Sequence, residues 1–375
     1  MTAPLALHGA SIEIAAGALG SLGARVRELH PGHRVVIISD HQVAALYGAA
    51  AVASFDGGPS GAGASASSTG APLLLTFPAG ERHKTRATWE SLTDRMIDAG
   101  LGRDTVVVAL GGGVTGDLAG FVAATYLRGV PLVQAPTTLL AMIDASIGGK
   151  TSVDTPAGKN LVGAFHQPSL VLVDPRALLT LPPARLREGL AEAIKHGVIA
   201  DSGYFGWIAS SLRQILHGDE PDHATAIRLV RRSIEIKVSV VRQDERESGL
   251  RKVLNFGHTI AHAIEQVTGY GIAHGDAVAI GMVAEAMIAE RLRYAERGLA
   301  DAIATVCDAA GLPVRLPKGV SAAEVVSATR TDKKSRSGQV EYALPRALGE
   351  MAGSESGYSV RAPDADVLRS LEHLV

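Results

Sequence analysis

The sequence predicts two parts: an α/β domain with a largely parallel sheet, followed by an all-α domain. Three observations carry this. Strand and helix signals alternate through the first half, the order that produces parallel strands joined by helical crossovers. An unbroken apolar run at 106–110 leads into three glycines at 111–113 and then a helical pattern, which marks a buried strand turning tightly into a helix. From Asp174 and Pro175 onward, strand signals nearly vanish and long helical patterns take over. The domain boundary is therefore expected between residues 1–175 and 176–375.

A chain of 375 residues can build more than one core. Charged residues make up 20% and the formal net charge is −2, so nothing points to nucleic acid or an anionic membrane as partner. The single cysteine, Cys307, excludes an intrachain disulfide framework and fits a reducing cytoplasm. The N-terminus lacks a basic region followed by a long apolar core, so no signal peptide is read. No apolar run reaches the roughly 18–20 residues needed to span a bilayer. The expectation is a soluble, cytoplasmic, globular protein.

In the first half, strands are expected at 11–15, 34–40, 73–77, 106–110 and 131–135, with a helix at 85–99. Residues 51–71, centred on GGPSGAGASASSTG, are too low in complexity to pack a core and read as a flexible insertion. The Gly111-Gly112-Gly113 turn, with a helix expected to begin near Thr115, brings bare backbone beside a helix N-terminus, as a pyrophosphate requires. That makes the domain a Rossmann-like nucleotide-binding candidate. The spacing is not G-x-G-x-x-G, so a simple tight turn remains the alternative. Pro136, Thr137 and Thr138 begin another helix. Lys150 after Gly148-Gly149 invites a phosphate-loop reading, but Asp144 stands where that motif needs its first glycine, which argues against an ATPase. Lys150, Lys159 and Asn160 fall on segments that read as polar, glycine-rich loops. They are candidates for an anionic, hydroxylated ligand or a solvated surface.

The second half is read as helices at 186–199, 226–241, 276–293, 299–310 and 364–374, with a hairpin-like segment at 338–344. Glu192 and Lys195 share a face of the first helix amid apolar neighbours. This is the pattern of a salt bridge or of a metal-binding carboxylate beside a ligand-binding ammonium. Lys237 lies on the second helix, and 243–251 is a charge cluster that reads as a solvated loop. Between them and the third helix, three of the thirteen histidines fall at 258, 262 and 274. His258 and His262 share one helix face, and that helix should stop at the glycines at 269 and 271. Two imidazoles on neighbouring helices plus one carboxylate would make a three-ligand zinc site with an open position. The same spacing also suits histidines hydrogen-bonded inside a helical domain.

The segments GGGVTGDLAGFVAATYLRG, PTTLLAMIDASIGGKTSVDTPAGKNLVGAFHQP, GLAEAIKHGVIAD, DERESGLRKVLNFGHTIAHAIE and AHGDAVAIGM occur here in order. Through them the chain resembles the 3-dehydroquinate synthases of the sugar phosphate cyclase family over essentially its full length. The resemblance implies a dehydroquinate synthase-like fold, with an NAD-binding α/β domain, a helical metal- and substrate-binding domain, and an active site in the cleft between them. It implies Glu192, His258 and His274 as ligands of zinc or cobalt. NAD⁺ contacts are implied at Asp40, Gln42, Glu81, Lys84, Gly112, Gly113, Val114, Asp117, Thr137, Thr138, Lys159 and Thr180. Substrate contacts are implied at Asp144, Lys150, Asn160, Lys195, Lys237, Arg251, Asn255, His262 and one of Lys333 or Lys334. Arg128 matches an arginine that, in the family's homodimer, approaches the neighbouring subunit's substrate phosphate. Glu247 and His262 match positions assigned as proton acceptors, against the solvated-loop reading of Glu247. Lys150, Asn160 and Lys195 are the remaining catalytic candidates.

The implied reaction converts 3-deoxy-D-arabino-heptulosonate 7-phosphate to 3-dehydroquinate, a step of the shikimate pathway toward aromatic amino acids. It runs through transient oxidation of one alcohol, loss of phosphate, re-reduction and aldol closure. A Lewis acid would lower the alcohol's pKa before hydride leaves. Lysines and arginines would hold the phosphate, and Arg251 would offer the substrate carboxylate a planar partner. Relatives that make an amino analogue, a deoxy-inosose or a valiolone are alternatives within the family. A zinc- and NAD-dependent polyol dehydrogenase is the alternative of another class. His41-Gln42 after Asp40, and Arg185 and Glu188, depart from the family's pattern at adenosine-side and nicotinamide-side positions.

Overall fold

The computed structural model describes residues 5–56, 70–217, 223–330 and 340–375, and the chain divides into two compact units, Met1–Leu181 and Pro182–Val375. The division falls six residues beyond the 175/176 boundary expected from texture. Asp174 explains the offset. Its carboxylate accepts from Gly17 N (2.8 Å), Leu19 N (3.1 Å) and Arg176 N (3.0 Å), so the turn after it is fastened to the first unit.

The first unit contains β1 (Leu5–Leu7), β2 (Ala10–Ile14), α1 (Leu22–Leu29), β3 (Arg34–Asp40), α2 (His41–Val43), α3 (Ala49–Ala53), β4 (Leu73–Phe77), α4 (Arg86–Asp98), β5 (Thr105–Gly111), α5 (Gly113–Thr125), β6 (Leu132–Pro136), β7 (Lys150–Thr155), β8 (Gly158–Phe165) and β9 (Leu170–Val173). Seven strands form one sheet in the order β1-β2-β9-β6-β5-β3-β4, parallel except for the β1–β2 pair. Side-chain alternation along a strand explains its two covered faces. Val107 and Ala109 of β5, with Val36 and Ile38 of β3, pack with Leu92, Met96, Leu118 and Val122 of α4 and α5. Val106, Val108 and Leu110, with Ile37, pack on the other side with Leu22, Val26 and Ala51.

Two sequence expectations change here. Residues 51–53 belong to α3 and bury Ala51, because that helix covers the second face of the sheet; residues 57–69 of the expected insertion lie outside the described residues. The supposed loops around Lys150 and Asn160 form the antiparallel hairpin β7–β8. The backbones of residues 150–153 and 162–165 pair across the Pro156-Ala157 turn, a register that the surrounding glycines disguise in the sequence.

The second unit holds α6 (Pro183–Ala200), α7 (Ser202–His217), α8 (His223–Gln243), α9 (His258–Val267), α10 (His274–Arg291), α11 (Leu299–Ala309), α12 (Ala322–Thr329) and α13 (Asp364–Glu372). It is the helical domain expected, with two short antiparallel strand pairs added. Glu341–Tyr342 pairs with Val360–Arg361, and Pro345–Ala347 with Glu350–Met351, so residues expected as one local hairpin pair with later segments instead. The centre of the unit is α10, buried on nearly every side from Gly275 to Ala289 and packed on α6, α9, α11 and α13.

The α9–α10 crossing is close. Gly257, at φ +80°, caps α9, and a Cβ on Gly281 would stand 2.0 Å from the Gly257 carbonyl oxygen. Neither backbone can yield without moving His258, the next residue. Gly281→Ala is expected to destabilise the chain by about 1–3 kcal/mol, read as a lowered midpoint in chemical denaturation; an unchanged midpoint would show that the crossing is looser than this.

Candidate functional site

In the first unit, the chain leaves β3 toward β4 on one side and returns to β5 on the other, so the sheet's order reverses between β3 and β5. Ligands of doubly wound sheets bind at the carboxyl ends of strands at such a point. Asp40 closes β3, and its side chain accepts from Gln42 N (2.9 Å) and Val43 N (3.0 Å). The Thr115 hydroxyl reaches Asp40 Oδ2 at 3.4 Å, linking the two strand ends. Gly112 precedes α5, which starts at Gly113, two residues before the expected Thr115. A Cβ on Gly112 would lie 3.1 Å from Thr138 Cγ2, so the turn and the segment after β6 approach nearly to contact. Thr137 N donates to Gly111 O (2.9 Å), and Thr138 Oγ1 accepts from Ala141 N (3.2 Å). Thr180 is tied to Tyr47 by hydroxyls 2.6 Å apart.

Lys84 is the hub beside this turn. Its buried ammonium contacts Glu81 (2.8 Å), Asp117 (3.2 Å), Asp154 (3.6 Å) and Asn160 Oδ1 (2.8 Å). Burial disfavours its charge, but the three carboxylates raise its pKa well above the ordinary value. Burial also lifts Asp117 to about 6, with Lys84 opposing. Asn160 Oδ1 further accepts from Ser152 Oγ (2.7 Å), while Asn160 N donates to Asp154 (2.8 Å). This holds Asn160 at φ +56°. Lys150 opens β7 and is exposed, and Lys159 lies on β8.

In the second unit, the carboxylate of Glu192 and the imidazoles of His258 and His274 each offer a ligand atom, all within 4.8 Å of one another. Glu192 lies on the buried face of α6, whereas His258 and His274 are the first residues of α9 and α10. Glu192 Oε1 faces His258 Nε2 at 3.4 Å and His274 Nε2 at 3.3 Å, and its other oxygen pairs with Lys195. Burial opposes ionisation of Glu192, but Lys195 and the imidazoles hold its pKa well below the usual range. Burial, together with Lys195, pushes His258 down to about 4. For His274 burial is outweighed by Glu192 and Glu265, which raise it to about 10.

The tautomers test whether a metal fits. His258 Nδ1 is 3.1 Å from the Phe256 carbonyl, an acceptor only, so Nδ1 carries the proton in a neutral ring. Nε2 then presents a lone pair to an anionic oxygen that is sealed from solvent. Lys195 offsets the charge from the carboxylate's far oxygen, while Oε1 is left facing the two imidazole nitrogens. A cation between them satisfies all three groups, and the donor set of two nitrogens and one carboxylate oxygen is that of catalytic zinc.

The loop before α9 completes the second unit's cluster. Asp244 accepts from Ser248 N (2.9 Å), Gly249 N (2.7 Å), Arg251 N (3.0 Å) and Ser248 Oγ (3.1 Å). The resulting tight loop sets Glu247 at φ +61°, with Oε1 accepting from Asn255 Nδ2 at 2.5 Å. Arg251 is buried, and its guanidinium donates to Glu245 O. Lys237 is buried on α8. His262 follows His258 by one turn, with ring centroids 5.7 Å apart.

Residues 74–188 match the family model described as 3-dehydroquinate synthase N-terminal, and 189–335 match 3-dehydroquinate synthase C-terminal. A 3-dehydroquinate synthase of Pelobacter propionicus is 45% identical over 351 residues, covering 93% of this chain and 94% of the relative. That of Symbiobacterium thermophilum is 46% identical over 342 residues, covering 91% and 92%. The chain belongs to the 3-dehydroquinate synthase family. Among solved structures, a 2-deoxy-scyllo-inosose synthase complexed with carbaglucose-6-phosphate, NAD⁺ and Co²⁺ matches with TM-score 0.84 at 26% identity, over 98% of this chain and 97% of that one.

Within this 3-dehydroquinate synthase fold, the structure gathers Glu81, Lys84, Asp117 and Asn160 into one network, although the sequence reading divided them between adenosine, pyrophosphate and substrate. Gln42 is exposed beyond Asp40, and only its backbone is engaged there. Asp144 lies on a π-helical turn, Ala141–Ala145, and Val114 in the first turn of α5. Lys333 and Lys334 fall outside the described residues. Of the eight non-glycine residues at positive φ among the described ones, Arg128 (φ +70°), Asn160 and Glu247 are three. Such strain concentrates at functional positions.

Sequence reasoning missed Asp244, Glu265 and Glu285. Glu285 is fully buried on α10 and accepts from Gly257 N (2.7 Å) and Ile260 N (3.3 Å), supplying α9 with the cap its own sequence lacks. A glutamate in an apolar run of α10 was its signal.

Asp244 gives this site a pH dependence. Burial opposes its charge, but its donors outweigh that and hold the carboxyl at about 2. Because the folded value is depressed, its contribution is complete above the unfolded value of about 3.9 and is lost as pH falls toward 2. Pepsin should cut the wild-type loop at 245–250 increasingly between about pH 4 and pH 2. Asp244→Ala should expose the same loop to proteases already at neutral pH. Equal resistance of variant and wild type at pH 7 would remove Asp244 as the organiser.

Proposed function

We infer that the chain converts 3-deoxy-D-arabino-heptulosonate 7-phosphate to 3-dehydroquinate and phosphate, the family's lyase reaction in the shikimate pathway. The observation that carries this is the convergence of Glu192, His258 and His274 in a chain 45% identical to a 3-dehydroquinate synthase over nearly its whole length. The much lower identity to the deoxy-inosose synthase, 26%, favours dehydroquinate over the other cyclised products.

Glu192, His258 and His274 would hold a divalent ion, Zn²⁺ or Co²⁺, which supplies Lewis acidity toward a secondary alcohol. The turn at Gly112 and Gly113, with Asp40 and Lys84, would bind NAD⁺, which takes up a hydride and returns it. The remaining work belongs to side chains. The Glu247 carboxylate and His262 imidazole are the proton acceptors, and Asn255 fixes the direction of Glu247. Arg251, already fixed through Glu245 O, presents a guanidinium to the substrate carboxylate. Lys150, Lys237 and one of Lys333 or Lys334 are assigned to the phosphate and hydroxyl groups. Lys195 holds Glu192 ionised while serving the substrate. Such a site succeeds mainly by positioning, since the departing phosphate can act as its own base.

A homodimer accompanies this reading. Leu127, Leu161, Val162 and Phe165 are exposed, the last at 55%, next to the strained Arg128 or on β8, and such a surface suits burial against a second copy. The single buried cysteine suits a cytoplasmic location.

Incubation with the heptulosonate phosphate should release one phosphate per cyclic product, with no NADH accumulating. Removal of metal by chelation should abolish turnover, and zinc or cobalt should restore it. Net NADH without phosphate release would identify a dehydrogenase instead, and undiminished turnover of metal-stripped protein would refute the metal assignment.

A further inference from the structure

The carboxylate of Glu265 plays no part in the reaction derived above. It is 3% exposed, and it lies on α9 seven residues after His258, on the same helix face. Its Oε1 stands 3.4 Å from Nδ1 of His274, which begins the neighbouring helix α10. His274 is thus gripped from both sides, Nδ1 by Glu265 and Nε2 by Glu192 at 3.3 Å. We propose that Glu265 is the positioning residue of the metal centre. By accepting the Nδ1 proton of His274, it fixes the ring's rotation and reserves Nε2 as the nitrogen presented to the metal.

This role rests on the metal reading and deepens it. His258 and His274 are oriented by different means. His258 gives its Nδ1 proton to the Phe256 carbonyl two residues away, a neutral acceptor fixed by its own backbone. His274 has a buried carboxylate instead, supplied by the helix that also carries His258. A carboxylate acceptor makes the imidazole a stronger donor to a metal, and loss of such outer partners typically costs roughly 10–100-fold in affinity. One helix therefore contributes a ligand at its first residue and the orienting group of the next ligand two turns later. Zinc capture and α9–α10 packing are coupled through it.

Zinc affinity of the purified full chain, measured by competition with a chromophoric chelator, tests this alongside the visible spectrum of the cobalt-loaded protein. Glu265→Ala should weaken zinc by about 10–100-fold and shift the cobalt absorption bands. Glu265→Gln, which keeps an acceptor oxygen without the charge, should recover most of the loss. Turnover of Glu265→Ala should return to within a few-fold of wild type at saturating zinc. His274→Ala is the control for the metal site itself. If it binds zinc like wild type, the metal reading fails. If it loses zinc while Glu265→Ala and Glu265→Gln both bind within twofold of wild type and with unchanged cobalt bands, the positioning role alone is overturned.

Discussion

The second unit is organised around one expensive group, the Glu192 carboxylate. An anion fully removed from water is tolerated only when cations and donors surround it. Here one oxygen has Lys195, and the other has two imidazole nitrogens at 3.4 and 3.3 Å. Satisfying that carboxylate dictates that α9 and α10 begin at the same place, beside the buried face of α6. The close α9–α10 crossing, where Gly281 meets Gly257 without side chains, lets the two helix starts come so near. Packing and chemistry are thus one constraint.

Helix polarity works in the same direction. His258 and His274 occupy the first turns of their helices, where unpaired N–H groups make a partly positive end. Such an end disfavours the imidazolium, in line with the lowered pKa of His258, whereas at His274 the carboxylates of Glu192 and Glu265 outweigh it. The free N–H groups of α9 need acceptors, and Glu285 provides one from inside α10. Three carboxylates on three helices therefore divide the labour: Glu192 faces the site, Glu265 holds a ring by its far nitrogen, and Glu285 fastens the helix that carries the other ring.

Much of this was legible in the chain. The strand at 34–40 and that at 73–77 coincide with β3 and β4, because uninterrupted β-branched and leucine runs between turn residues leave little choice. Glu192 and Lys195 stood out as charges in an apolar helix. The hairpin of β7 and β8 was not legible: glycines and lysines hid a two-stranded ladder whose stability comes from α5 beneath it, a tertiary cause that no local pattern carries. The loop at 243–251 misled for a similar reason. Its charge density reads as solvation, yet Asp244 spends its charge on backbone N–H groups of the same loop.

The Lys84 network shows what a residue-by-residue reading leaves out. Glu81, Asp117, Asp154 and Asn160 come from four separate elements and meet at one ammonium. Three carboxylates around a single buried cation leave an excess of negative charge, and burial already lifts Asp117 toward neutrality at about 6. Such a cluster is balanced by its whole membership, so replacing one carboxylate changes the protonation of the others. Positions that would serve the dinucleotide and those that would serve the substrate are therefore coupled in this unit: Asn160 and the Asp117 carboxylate beside the glycine turn share the Lys84 ammonium.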